Sequence, residues 1–62
     1  MNSMINNYIN GNLTDAKRQA EQFSLWQIYV ALKGHYSRNK AAAIAYYLKY
    51  PSQRTFDAAC NA

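Results

Sequence analysis

Sixty-two residues, half of them hydrophobic and 15% aromatic, are too apolar for a disordered chain and too few for more than one domain. Seven Lys and Arg against three acids leave a net charge of +4, an attraction toward acidic partners such as nucleic acid or an acidic protein face. A single cysteine, Cys60, excludes an internal disulfide and a cysteine-based zinc site, and the longest apolar run, residues 41–48, is far too short to span a membrane.

Residues 1–10 place Met1, Met4, Ile5, Tyr8 and Ile9 at the spacing of a short amphipathic helix, with Ser3 as candidate N-cap and Gly11 as its left-handed terminator. Asn2, Asn6, Asn7 and Asn10 lower its intrinsic propensity, so this helix is expected to form by packing. The first twelve residues have neither the basic region nor the apolar centre of a signal peptide, and a cytoplasmic protein is expected.

Asn12 and Asp15 form a reduced capping box that opens a second helix over residues 13–23. Its inner stripe is Leu13, Ala16, Ala20 and Phe23, and Lys17 with Glu21 forms an i, i+4 pair outside. Ala16 and Ala20 allow a neighbouring helix to come close.

Ser24 and Gln27 give the capping box of a third helix over residues 25–36. Leu25, Ile28, Tyr29, Leu32 and Tyr36 line one face, and Trp26 and Val30 form a second stripe about 100° away. A helix apolar over so much of its circumference is expected at the centre of the fold, with Trp26 in the core. Gly34 and His35 are expected to open the following turn.

Ser37 caps a fourth helix over residues 38–50, whose core stripe is Ala41, Ile44, Ala45 and Leu48. The opposite side carries Asn39, Ala43, Tyr46 and Tyr50. Arg38, Ala42 and Lys49 lie on one shoulder, Lys40 and Tyr47 on the other. Pro51 stops the helix, and Ser52 or Thr55 caps a last one in which Phe56, Ala59 and Cys60 face inward. No stretch alternates with period two, so the expected fold is all-α: a compact bundle of four to five short helices forming one helical domain over residues 1–62.

Catalysis finds little support. Asp15 and Asp57 read as first-turn acids favoured by the helix dipole, and a Cys60–His35 nucleophile pair would sit two residues from the last position given. There is no Gly-rich phosphate loop, no His pair for a metal and no acidic cluster, so neither catalysis nor a cofactor is expected. The fourth helix is the better candidate. Tyr46 and Tyr50, one turn apart above alanines and edged by cations, form an aromatic strip of the kind enriched in interface hot spots. The alternative is that Tyr46 or Tyr47 packs beneath the first or the last helix. The expected protein-binding residues are Arg38, Asn39, Tyr46, Lys49 and Tyr50.

The frame 7–16 (NYINGNLTDA), with Tyr47-Leu48-Lys49 and Phe56-Asp57-Ala58-Ala59-Cys60, resembles small orphan accessory proteins of bacterial plasmids and phages. The resemblance implies an accessory role, binding and blocking a larger host protein or nucleoprotein complex as anti-CRISPR and antirestriction proteins do. The basic charge rules out DNA mimicry, so such a protein would occupy a protein surface, an acidic one by charge. Two other readings stand beside it. One is a small basic DNA-binding protein that uses Arg38, Asn39 and Lys40 at the start of the fourth helix; the other is an obligate homodimer joined by the tyrosine strip.

Overall fold

In the computed structural model, which describes residues 2–62, five α-helices follow one another without a strand among the described residues. They are α1 (Asn2–Ile9), α2 (Leu13–Ala20), α3 (Leu25–Leu32), α4 (Arg38–Lys49) and α5 (Gln53–Asn61). This is the all-α bundle that the sequence predicts; Met1, counted on the first stripe, lies outside the described residues.

Local chemistry sets most of the boundaries. Gly11 adopts φ +85°, and the N–H groups of Gly11 and Asn12 close back on the carbonyls of Tyr8 (3.1 Å) and Asn7 (2.8 Å), the paired bonds of a Schellman end. The Ser24 hydroxyl accepts from the Gln27 N–H at 3.2 Å while the Gln27 side chain accepts from the Ser24 N–H at 2.9 Å, completing the capping box of α3. Ser37 caps α4 through the Lys40 N–H, and Ser52 with Thr55 forms the corresponding box on α5. Tyr50, before Pro51, has left the helical region at φ −129° and ψ 71°.

Several expected details differ. Asn12 makes no side-chain cap: its N–H is committed to the end of α1, its backbone is not extended, and its amide turns back toward Asn7. Ser3 lies inside α1 and accepts a bond from Gln19. The second helix ends at Ala20, so Glu21 is past its last turn and does not pair with Lys17; the ion pair found is Arg18–Asp15 at 2.6 Å. The third helix ends at Leu32 and 33–36 is a turn, because Gly34, His35 and Tyr36 are weak helix formers in succession. Asp57 stands on the fifth position of α5, not its first turn, and accepts from the Gln53 amide.

One apolar cluster draws side chains from all five helices: Met4 and Ile5, Ala16 and Ala20, Ile28 and Leu32, the α4 residues Ala41, Ile44, Ala45, Tyr47 and Leu48, and Ala59. The centre is therefore α4 and not α3. It meets α2, α3 and α5, and the fully buried Ala41 and Ala45, with Ala16 and Ala20 of α2, keep the neighbouring backbones close. The radius of gyration is 9.9 Å, near the ~10.5 Å expected for 62 residues. Tyr47, placed by the sequence on a shoulder, is only 5% exposed and meets the Phe56 ring edge-on at 5.3 Å. Cys60 and Phe56, both expected inside, are exposed, although Phe56 keeps one face on Tyr47, leaving Ala59 as the buried residue of α5. Tyr8 and Tyr36 meet edge to face at 6.2 Å, tying α1 to the turn after α3, and burial pushes the Tyr8 phenol above its ordinary range.

Candidate protein-docking groove

A side chain with the largest apolar surface in the chain lies outside this core. Trp26 is 69% exposed, against the expectation that it is buried. The reason is one of supply. α3 is apolar nearly all round (LWQIYVAL), but among the described residues α4 is the one helix packed extensively against it, over the side that carries Ile28 and Leu32, and Trp26 and Val30 stay exposed on the other.

The uncovered side forms a groove with α4. Leu25, Trp26 and Tyr29 of α3 face Ala42, Ala45 and Tyr46 of α4 across a hollow of about 400 Å³. The alanines make the floor because they are too short to fill the space between the aromatic walls. Trp26 also lines a second hollow of about 340 Å³, on α3 beside Gln27, Val30 and Ala31. Within the walls, Trp26 and Tyr29 lie 5.5 Å apart at 43°, and Tyr46 meets Tyr50 in a tilted pair at 6.3 Å and 37°. Such pairs limit each other's rotamers, so less entropy is lost when a partner orders them.

Two cations stand at the turn end of this apolar groove. The Lys33 ammonium lies 5.6 Å from the Tyr29 ring, and Arg38 is one turn before Ala42 on the same side of α4. Two other lysines are engaged within the fold. Lys49 donates to the Phe23 carbonyl at 2.6 Å, tying the end of α4 to the turn before α3, and Lys40 donates to the Ala59 carbonyl in the last turn of α5 at 2.6 Å.

The five residues expected from the sequence do not form a single cluster. Tyr46 and Tyr50, at 52% and 58% exposure, share one end of α4 with Lys49, whose ammonium is engaged as above. Arg38 and Asn39 are exposed at the other end, a helix rise of about 18 Å from Tyr50. Between Tyr46 and Tyr47, it is Tyr47 that packs beneath the last helix. The sequence reading missed Trp26, Val30, Tyr29 and Leu25, and a usable signal was present. Lys33 follows Trp26 by two helical turns on the same stripe, and an ammonium there requires water.

His35 and Cys60 are both exposed. Among the described residues no group of three His, Cys, Asp or Glu side chains is close enough to hold a metal, and no helix is long and apolar enough to cross a membrane. Comparison with protein-family models, with curated proteins and with solved structures finds no match to this chain.

Proposed function

We propose that this chain is a small non-catalytic protein-binding module whose docking surface is the α3–α4 groove. In its most concrete form it is a cytoplasmic inhibitor or modulator, encoded by a mobile element, that acts on a larger host complex. The observation that carries the reading is the exposed Trp26, backed by Tyr29 and facing Tyr46 across a preformed hollow. A chain of this size is short of apolar material for its core, and burying a large aromatic side chain would contribute on the order of 2–3 kcal/mol. Leaving Trp26 outside gives up that stabilisation, and contiguous exposed apolar surface of this kind is characteristic of binding sites.

The test is a pull-down from the host with the full chain as bait. Trp26→Ala combined with Tyr46→Ala should lose a partner that the parent chain captures, with helicity unchanged by circular dichroism. Equal capture by both proteins would remove the groove from the reaction.

A second reading is favoured by Arg38 and Asn39, which are exposed in the first turn of α4 as a recognition helix would present them. Under it the chain binds duplex DNA with an affinity that falls steeply as salt rises, and Arg38→Ala weakens that binding. No retardation of duplex at low salt excludes it.

A further inference from the structure

The chemistry of the groove constrains its partner, and we infer that the occupant is an amphipathic α-helix whose polar face is acidic. This rests on the protein-binding reading above and names the class of segment that would dock.

Shape is the first argument. Trp26 lines both hollows: the main one opens between α3 and α4, and the other lies on α3 beside Gln27, Val30 and Ala31. An α-helix presents apolar side chains at i, i+3 and i+4 along one face, so a helix laid along α3 and α4 would seat one anchor in the main hollow and rest its neighbours on the exposed indole. The groove runs between two packed helices, the geometry that a third helix fills when it adds to a bundle.

Charge is the second. From residue 22 to residue 56 the chain contains Lys33, Arg38, Lys40, Lys49 and Arg54 and no Asp or Glu at all. Lys33 and Arg38 flank the α3–α4 turn beside the groove, while the six residues lining its main hollow are uncharged. Carboxylates on the edges of a docked helix would meet cations, and its apolar stripe would meet an apolar floor.

The same pattern disfavours other occupants. A nucleic-acid strand in the groove would lay phosphates over Leu25, Ala42 and Ala45, which offer them no donor. A second copy would bring two acid-free cationic hairpins face to face.

The experiment uses Trp26, the single tryptophan, as its own reporter. Two Trp-free peptides of about 18 residues, long enough to be helical, carry leucine at i, i+3, i+4 and i+7. One has glutamate on its polar face, the other lysine. The glutamate peptide should shift Trp26 emission to the blue, with affinity that falls several-fold between low and high salt. Lys33→Glu with Arg38→Glu should weaken it at least tenfold, and the lysine peptide should not bind. Equal binding of both peptides, or of neither, overturns the inference. So does saturable binding of oligo-dT or of anionic phosphatidylserine vesicles where the glutamate peptide gives none. Failure here, with a natural partner still captured through Trp26 and Tyr46, would sink the acidic helix and leave the groove as a protein-binding site. Loss of both would sink the groove itself.

Discussion

Ile44 and Trp26 are both apolar, both helical and both large, yet they do different work. Ile44 is fully buried at the centre of α4, where truncation removes apolar contacts and leaves a space that neighbouring helices fill only in part. Ile44→Ala should therefore cost about 2–5 kcal/mol, comparable to the whole stability expected of so small a core. Trp26→Ala removes a side chain that is mostly in water already, so its effect on the folding free energy should be within about 0.5 kcal/mol. Paired urea melts followed by circular dichroism check this: a strongly displaced midpoint for the Ile44 variant and a nearly parental one for the Trp26 variant. A destabilisation by Trp26→Ala comparable to that by Ile44→Ala would return the indole to the core and remove the basis of the groove.

At the scale of elements, the two glycines have different uses. Gly11 ends α1 at φ +85°, a conformation that costs an L-residue about 1–2 kcal/mol. Gly34 has no such φ, and a methyl group there would meet only the Ala31 carbonyl at 3.7 Å, an ordinary contact. Gly11→Ala should thus destabilise by about 1 kcal/mol or more, whereas Gly34→Ala should stabilise by about 0.4–1 kcal/mol through the unfolded chain. Thermal melts of the two variants should move in opposite directions, and movement in the same direction would contradict this account of the turns. Most capping signals were legible: Gly11, Ser24 with Gln27, Ser37 and Ser52 each act within four residues of themselves, whereas Ser3 and Asn12, expected as caps, are drawn to Gln19 and Asn7. The core stripe of α4 was legible too, since Ala41, Ile44, Ala45 and Leu48 recur at helical spacing. What escaped the sequence was coverage. Whether Trp26 is inside depends on whether some distant segment lies over α3, which LWQIYVAL itself does not encode; only Lys33, just beyond it on the Trp26 stripe, points to water on that side. Tyr47 shows the converse, a shoulder residue buried because α5 folds across it and Phe56 meets its ring. The tyrosine strip was thus only half of the surface; its other wall belongs to α3.

For the whole molecule, asymmetry of charge decides what the groove does when no partner is present. Its apolar walls would favour self-association, and an isologous dimer would place α3 and α4 of one copy against the same helices of another. In such a dimer residue i meets j and j meets i, so Lys33 and Arg38 would face the partner's α3–α4 hairpin, which carries only cations and no carboxylate between residues 22 and 56 to relieve them. Like charges juxtaposed across a desolvating interface cost several kcal/mol, and the cost grows as salt is removed. The chain should therefore run as a monomer of 7.1 kDa in light scattering at low ionic strength, independent of concentration. If the apolar walls do bring copies together, association should appear only at about 1 M salt, where the Debye length is about 3 Å, and Trp26→Ala should abolish it. A stable dimer at low salt would reverse the argument: the cations would then have to lie outside the contact, and the groove would be an interface between copies with no need of an acidic partner.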